Sequence, residues 1–259
     1  MSKRIKTKIY IKRIISDISE MASDYDPKIH IWYDENNITQ IRALIIGPPD
    51  TPYEDGFFYF TIDFPETYPF DHPSAKFETI NQKIRFNPNL YEGGKVCLSI
   101  IGTWSGPKWS SVQTLKSLLL SMQSLLDEYP IINEPSYDNV KPDDIRSIEY
   151  NEYIKFNTFE FAIYQMLIDK KHFPYFTNVI EKYFVDNYER LIDKMDKLKY
   201  LDGKIMKTFI WGHSVKINYS DLINKFKQLY ETLKDKDFED LESNSVHISN
   251  IKKQLEKDI

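Results

Sequence analysis

The side chain best equipped for covalent chemistry is Cys97, the single cysteine of the chain. A thiolate is a nucleophile and forms acyl intermediates readily, whereas a lone cysteine on a regular apolar stripe is only a small core residue. Cys97 lies on no such stripe. From Asn81 to Ser111 the sequence loses periodicity and gathers Pro88, Gly93, Gly94, Gly102, Gly106 and Pro107. A loop of this length is either functional or disordered, and Val96, Leu98, Ile100 and Ile101 within it predict an ordered, functional one. A cysteine hydrolase would place a histidine base against the thiol. His30, His72, His172, His213 and His247 form no recognisable catalytic motif and lack the HxxxH spacing of a metal site. One cysteine also makes no internal disulfide, CxxC redox pair or cysteine-based zinc site, so a reducing compartment is expected, the cytoplasm or also the nucleus.

The elements that must hold this loop are legible around it. Residues 3–22 carry Ile5, Ile9, Ile15, Ile18 and Ala22 at helical spacing, with Lys3, Arg4, Lys6, Lys8, Lys12 and Arg13 mostly off that stripe, which predicts an amphipathic helix with a basic face. Apolar or alternating runs over 28–34, 38–47, 56–64 and 75–79 are separated by turn formers and predict a four-stranded antiparallel meander. Ser110 or Ser111 is expected to cap a helix running to about Leu126. Beyond Glu134-Pro135 the chain reads as helical to its end, over about 143–170, 175–198, 219–235 and 238–257. Phe173, Tyr175, Phe176, Ile180, Tyr183, Phe184 and Tyr188 give the second of these an aromatic face that has to pack on something.

Length and charge bound the rest. At 259 residues the chain suits one principal domain plus a substantial extension. Its 41% apolar and 28% charged residues fit a globular protein. A net charge of −5 offers no global attraction to nucleic acid or anionic membrane. No apolar run is long enough to span a bilayer, and the basic start lacks the apolar region and cleavage site of a secretory signal.

The segment FNPNLYEGGKVCLSIIGTWSGPKW, Phe86 to Trp109, resembles the active-site signature of ubiquitin-conjugating enzymes, the E2 family. GPPDTPYEDGFFYFTIDFPETYPFDHP, Gly47 to Pro73, resembles the same family's second and third strands and the loop beyond them. NPN where most members have HPN, the lengthened cysteine-to-tryptophan spacing and NEPSY at Asn133 to Tyr137 are together similar to the large Z-type subgroup, whose members carry a helical C-terminal extension. The resemblance implies an α+β conjugating fold over residues 3–168 and a helical extension over 171–259 packed on it.

It also implies roles. Cys97 would accept ubiquitin, or a ubiquitin-like modifier, as a thioester from an E1 activating enzyme and pass it to lysines of substrate proteins, directly or with an E3 ligase. No cofactor is implied, ATP being used by the E1, and the chain has no GxxxxGK[ST] phosphate loop. Asn89 matches the family residue credited with stabilising the oxyanion, directly or by ordering the loop; read alone, Asn87-Pro88-Asn89 is equally a turn. Glu134 aligns with an acidic position beside the attacking lysine, although a one-residue length difference leaves Asn133 as an alternative occupant. Lys3, Arg4, Lys6 and Lys8 resemble the E1-docking face. Phe70, preceded by Pro69, matches an aromatic presented to ligases, and Ser111 with Val112 replaces the usual Pro-Ala of the second ligase-contacting loop. Leu120 matches a ubiquitin-contacting position or is plain core. The competing reading is a non-catalytic binding module on the same fold; such relatives characteristically lack the active cysteine.

Overall fold

Alternating side chains over residues 29–63 build the sheet that carries everything else. The computed structural model describes residues 3–81, 83–170 and 174–238, with residues 3–8 described by their backbone alone. Helix α1, Lys3–Ser23, precedes strands β1 Ile29–Asp34, β2 Asn37–Ile46, β3 Phe57–Asp63 and β4 Ser74–Phe77, which pair in chain order as an antiparallel sheet of four. Ile29 opposes Ile45 and Ala43 opposes Phe60, so the expected meander is the one observed. The β2–β3 connection needs glycine at Gly47, where an added Cβ would lie 1.8 Å from the Tyr53 carbonyl oxygen.

β3 is buried on both faces from Phe57 to Ile62 because both faces are covered. Side chains alternate across a strand, so Phe58 and Phe60 point one way and Phe57 and Tyr59 the other. The first pair packs with Phe77 and Phe86. The second meets the C-terminal extension: Phe57 packs edge-on to Tyr183, Tyr59 contacts Phe176, and Trp32 of β1 stacks on Tyr175 at 3.8 Å.

Helix α2, Leu115–Gln123, buries Leu115, Leu118, Leu119 and Met122. It starts later than Ser110 or Ser111. Thr114 is the N-cap and shares a reciprocal capping box with Ser117, while Ser110 to Gln113 close a separate turn. Helix α3, Ile145–Asn157, is capped by Asp144 and runs on through a π-helical stretch, Thr158–Gln165, into the short α4, Met166–Ile168.

Two long amphipathic helices follow, α5 Thr177–Leu198 and α6 Tyr219–Leu233, packed together through Phe184, Phe226 and the stacked pair Tyr188 and Tyr230. The chain is not helical throughout this half. Strands β5 Ile205–Lys207 and β6 Ser214–Lys216 form an antiparallel hairpin between α5 and α6. Gly203 and Gly212 take the left-handed backbone around it, and Thr208 and His213 bond across its tip. Beyond Phe238 the helix expected over 238–257 lies outside the described residues, as does Phe173.

A buried acid fastens the extension to the sheet. Asp55, at the β2–β3 turn, accepts two hydrogen bonds from the Arg190 guanidinium at 2.7 and 2.8 Å, one from the Tyr183 hydroxyl at 2.7 Å and one from the Lys194 ammonium at 3.2 Å. Burial alone would raise its carboxyl, but these donors and cations outweigh it and hold the group below the usual carboxylate range.

Candidate active site

Pro88 and its flanking asparagines keep residues 85–98 from becoming a fifth sheet strand, and isolated bridges Asn87–Leu90 and Leu90–Val96 hold this segment in a narrow loop. Cys97 lies on its return limb and is only 2% exposed. Its backbone N–H donates to the Asn89 carbonyl at 2.8 Å, and the Asn89 carboxamide Nδ2 donates to the Cys97 carbonyl at 2.9 Å. Thr103, from the insertion after the cysteine, brackets the same site: its hydroxyl donates to the Val96 carbonyl at 2.7 Å and accepts from the Leu98 N–H at 2.9 Å.

Asn87 stands where the commoner motif has histidine. It is fully buried and completely employed, donating to the Tyr53 hydroxyl at 2.9 Å and the Leu125 carbonyl at 2.7 Å while its Oδ1 accepts the Asn89 N–H at 2.8 Å. Its amide therefore ties the loop to the end of α2. Asn89 is less satisfied, because its Oδ1 is buried without a hydrogen-bond partner among the described residues.

Arg85, which carried no signal in the sequence, organises the approach to this loop. Its Nη2 donates to the Pro88 carbonyl at 2.8 Å, and its Cζ lies 4.0 Å from the ring centroids of both Tyr91 and Trp211. Trp211 belongs to the β5–β6 hairpin, which also pairs His213 Nε2 with Glu92 Oε1 at 2.8 Å. Only the hairpin glycines could have pointed to this element, and nothing in sequence links it to the loop.

Glu134 follows a 3-10 turn, Pro130–Asn133, and is half-buried. Burial raises its carboxyl above the ordinary value, opposed by the charge of Arg85. Asn133 is occupied elsewhere, its carboxamide donating to Asp127 at 2.7 Å, which leaves Glu134 as the freer of the two.

The surface residues divide. Phe70 is 76% exposed and Val112 81% exposed. Pro69 is buried, and its carbonyl accepts from the Trp109 indole at 2.7 Å, so it fixes the Phe70 loop against the Trp109 loop and its side chain is not presented. Ser111 is exposed, and its carbonyl accepts from Arg13 at 3.0 Å. Leu120 faces outward from α2 and is not core. Lys3, Arg4, Lys6 and Lys8 lie on the backbone of α1, with their side chains outside the described residues. Among the described residues no group of three or more His, Cys, Asp or Glu is arranged to hold a metal ion.

The sequence is similar to known proteins over most of its length. The family model described as ubiquitin-conjugating enzyme matches residues 13–155. A protein of Xenopus tropicalis named ubiquitin-conjugating enzyme E2 Z is 37% identical over 228 residues, covering 87% of this chain and 72% of that protein. Its namesake in Danio rerio is 37% identical over 229 residues, covering 87% of this chain and 69% of that protein. The Homo sapiens protein of the same name is 40% identical over 198 residues, covering 75% of this chain and 55% of that protein.

Proposed function

This chain belongs to the ubiquitin-conjugating enzyme family, and we propose that it carries ubiquitin, or a ubiquitin-like modifier, as a thioester on Cys97 and transfers it to lysine. The observation that carries the proposal is the position of the single thiol, on the family-matched loop with its backbone clamped at both ends by Asn89.

In the first step the Cys97 sulfur attacks the thioester carbonyl at the modifier's C-terminus, forming a new S–C bond as the activating enzyme's thiol departs. One thioester replaces another, so positioning rather than driving force sets the rate. In the second, a neutral lysine amine attacks the same carbonyl, and the Cys97 thiol leaves as the isopeptide forms. This step needs a deprotonated amine and a donor for the oxyanion. A carboxamide carries two N–H bonds, and Asn89 commits one to the Cys97 carbonyl. The other is the side-chain donor available to the oxyanion, so loop order and charge stabilisation come from one group. Glu134, whose carboxyl burial shifts upward, orients the incoming ammonium and takes up its proton.

Phe70 and Val112, on loops tied together through Trp109 and Pro69, supply an apolar surface for an E3 ligase. Leu120 serves the modifier, and the cationic start of α1 serves the E1. The test is incubation with E1, ATP and ubiquitin. Wild type should give an adduct cleaved by reductant, Cys97→Ser a reductant-resistant ester and Cys97→Ala none. An undiminished adduct in Cys97→Ala would overturn the assignment, and no adduct on wild type would favour a binding module.

A further inference from the structure

The hairpin between α5 and α6 reaches the loop of the nucleophile from the far end of the chain. Trp211 supplies one of the two rings that pack on the Arg85 guanidinium, each 4.0 Å from Cζ, and Tyr91 supplies the other. Among the described residues the Arg85 Nε is buried without a hydrogen-bond partner, so this side chain is held there by the two rings and its bond to the Pro88 carbonyl. Pro88 precedes Asn89, which clamps Cys97. A second tie, His213 to Glu92 at 2.8 Å, and the packing of Trp211 against Tyr150 set the hairpin in place.

We propose that Trp211 is a positioning residue for the transfer step, acting through Arg85 on the loop that carries Asn89 and Cys97, so that the extension is a working part of the active site. The inference rests on the reading of Cys97 as the acceptor of the modifier. A planar guanidinium stacks on aromatic rings as an ammonium does not, so removing one ring frees Arg85 to swing away from Pro88. The same motion takes its charge from Glu134, which also interacts with Tyr150 of α3. With Arg85 displaced, the Glu134 carboxyl rises further.

The experiment uses the full chain, loaded with ubiquitin, and follows single-turnover discharge to free lysine across pH, with loading and thermal midpoint measured separately. Misplacement of a reacting group by an ångström is costly, so Trp211→Ala should slow discharge about tenfold and loading less. The acidic limb of its pH profile should move to higher pH, and Trp211→Phe should recover most of the rate. Should Trp211→Ala fail to fold, Arg85→Lys, which keeps the charge without the planar fork, should show the discharge defect. Wild-type discharge and pH profile in Trp211→Ala, or equal losses of loading and discharge that track the thermal midpoint, would overturn the proposal. If wild type forms no reducible adduct, the reading of Cys97 fails and takes this inference with it; normal wild-type loading beside a silent Trp211→Ala removes this inference alone.

Discussion

Asn89 and Cys97 grip each other twice, backbone N–H to carbonyl at 2.8 Å in one direction and carboxamide to carbonyl at 2.9 Å in the other. The second bond is the side chain's own, so Asn89→Ala leaves the Cys97 carbonyl short of a donor in a buried place. An unsatisfied buried acceptor costs about 1–3 kcal/mol, and that is the loss of stability expected from urea unfolding of this variant. Loading should suffer as the loop loosens. Discharge to lysine should fall further, by about 10²-fold, because the oxyanion loses its donor as well. Discharge at the wild-type rate would show that neither role is real.

Asp55 fastens α5 to the β2–β3 turn, and its backbone takes the left-handed conformation that asparagine tolerates. Asp55→Asn therefore keeps the turn and removes the charge. Arg190 and Lys194 are partly exposed and can turn to water, so the expected cost is about 3 kcal/mol, at the low end for breaking a buried ion pair. Chemical denaturation monitored by tryptophan fluorescence measures it.

The same carboxylate makes stability depend on acid. Its folded-state value lies below the unfolded one, so its contribution is complete above the ordinary carboxylate range and is lost as pH falls through the depressed value. The stability gap between wild type and Asp55→Asn should be widest near neutrality and shrink in strong acid. A gap independent of pH would mean that shape rather than charge holds the turn.

Cys97 is covered in the free protein, and a thiol reagent can reach it only when its surroundings open. An opening free energy of about 1.4 kcal/mol already slows modification tenfold, so Cys97 should react at least about tenfold more slowly in native than in urea-unfolded protein. Thr103→Ala, which removes the hydroxyl linking Val96 and Leu98, should narrow that difference. Stopped-flow labelling with a chromogenic disulfide reads both rates.

How far the sequence foretold this structure depends on the range of the forces. The four strands were legible because the runs between Ile29 and Phe77 alternate or are apolar between strong turn formers, and the loop of Cys97 because its periodicity vanishes among glycines and prolines. The start of α2 lies later than the sequence suggests. Ser110 and Ser111 are good caps, but Thr114 wins through a capping box closed by Ser117 in place of the usual Glu or Gln. The β5–β6 hairpin was missed since each strand has three residues, too few to show a period, and owes its place to packing. Arg85, Trp211 and His213 share a site only through tertiary structure, which no local pattern encodes.

The extension should be inseparable from the core. Truncation after Asp169 would strip Tyr175 from Trp32, Phe176 from Tyr59 and Tyr183 from Phe57, uncovering these rings on one face of the sheet. It would also uncover Phe159 and Tyr164, which pack on Phe226. Each large side chain returned to water costs about 1.5–3 kcal/mol, and the sum over several exceeds the margin by which most domains are folded. The truncated protein should bind a hydrophobic dye, elute as aggregates in size-exclusion chromatography and load poorly. Phe209→Ser alters an exposed residue near the hairpin tip, so it should leave the unfolding free energy within about 0.5 kcal/mol of wild type in urea titration. A truncated chain that stays monomeric, binds no dye and loads normally would show that residues 1–169 fold alone, contrary to the shared core described above.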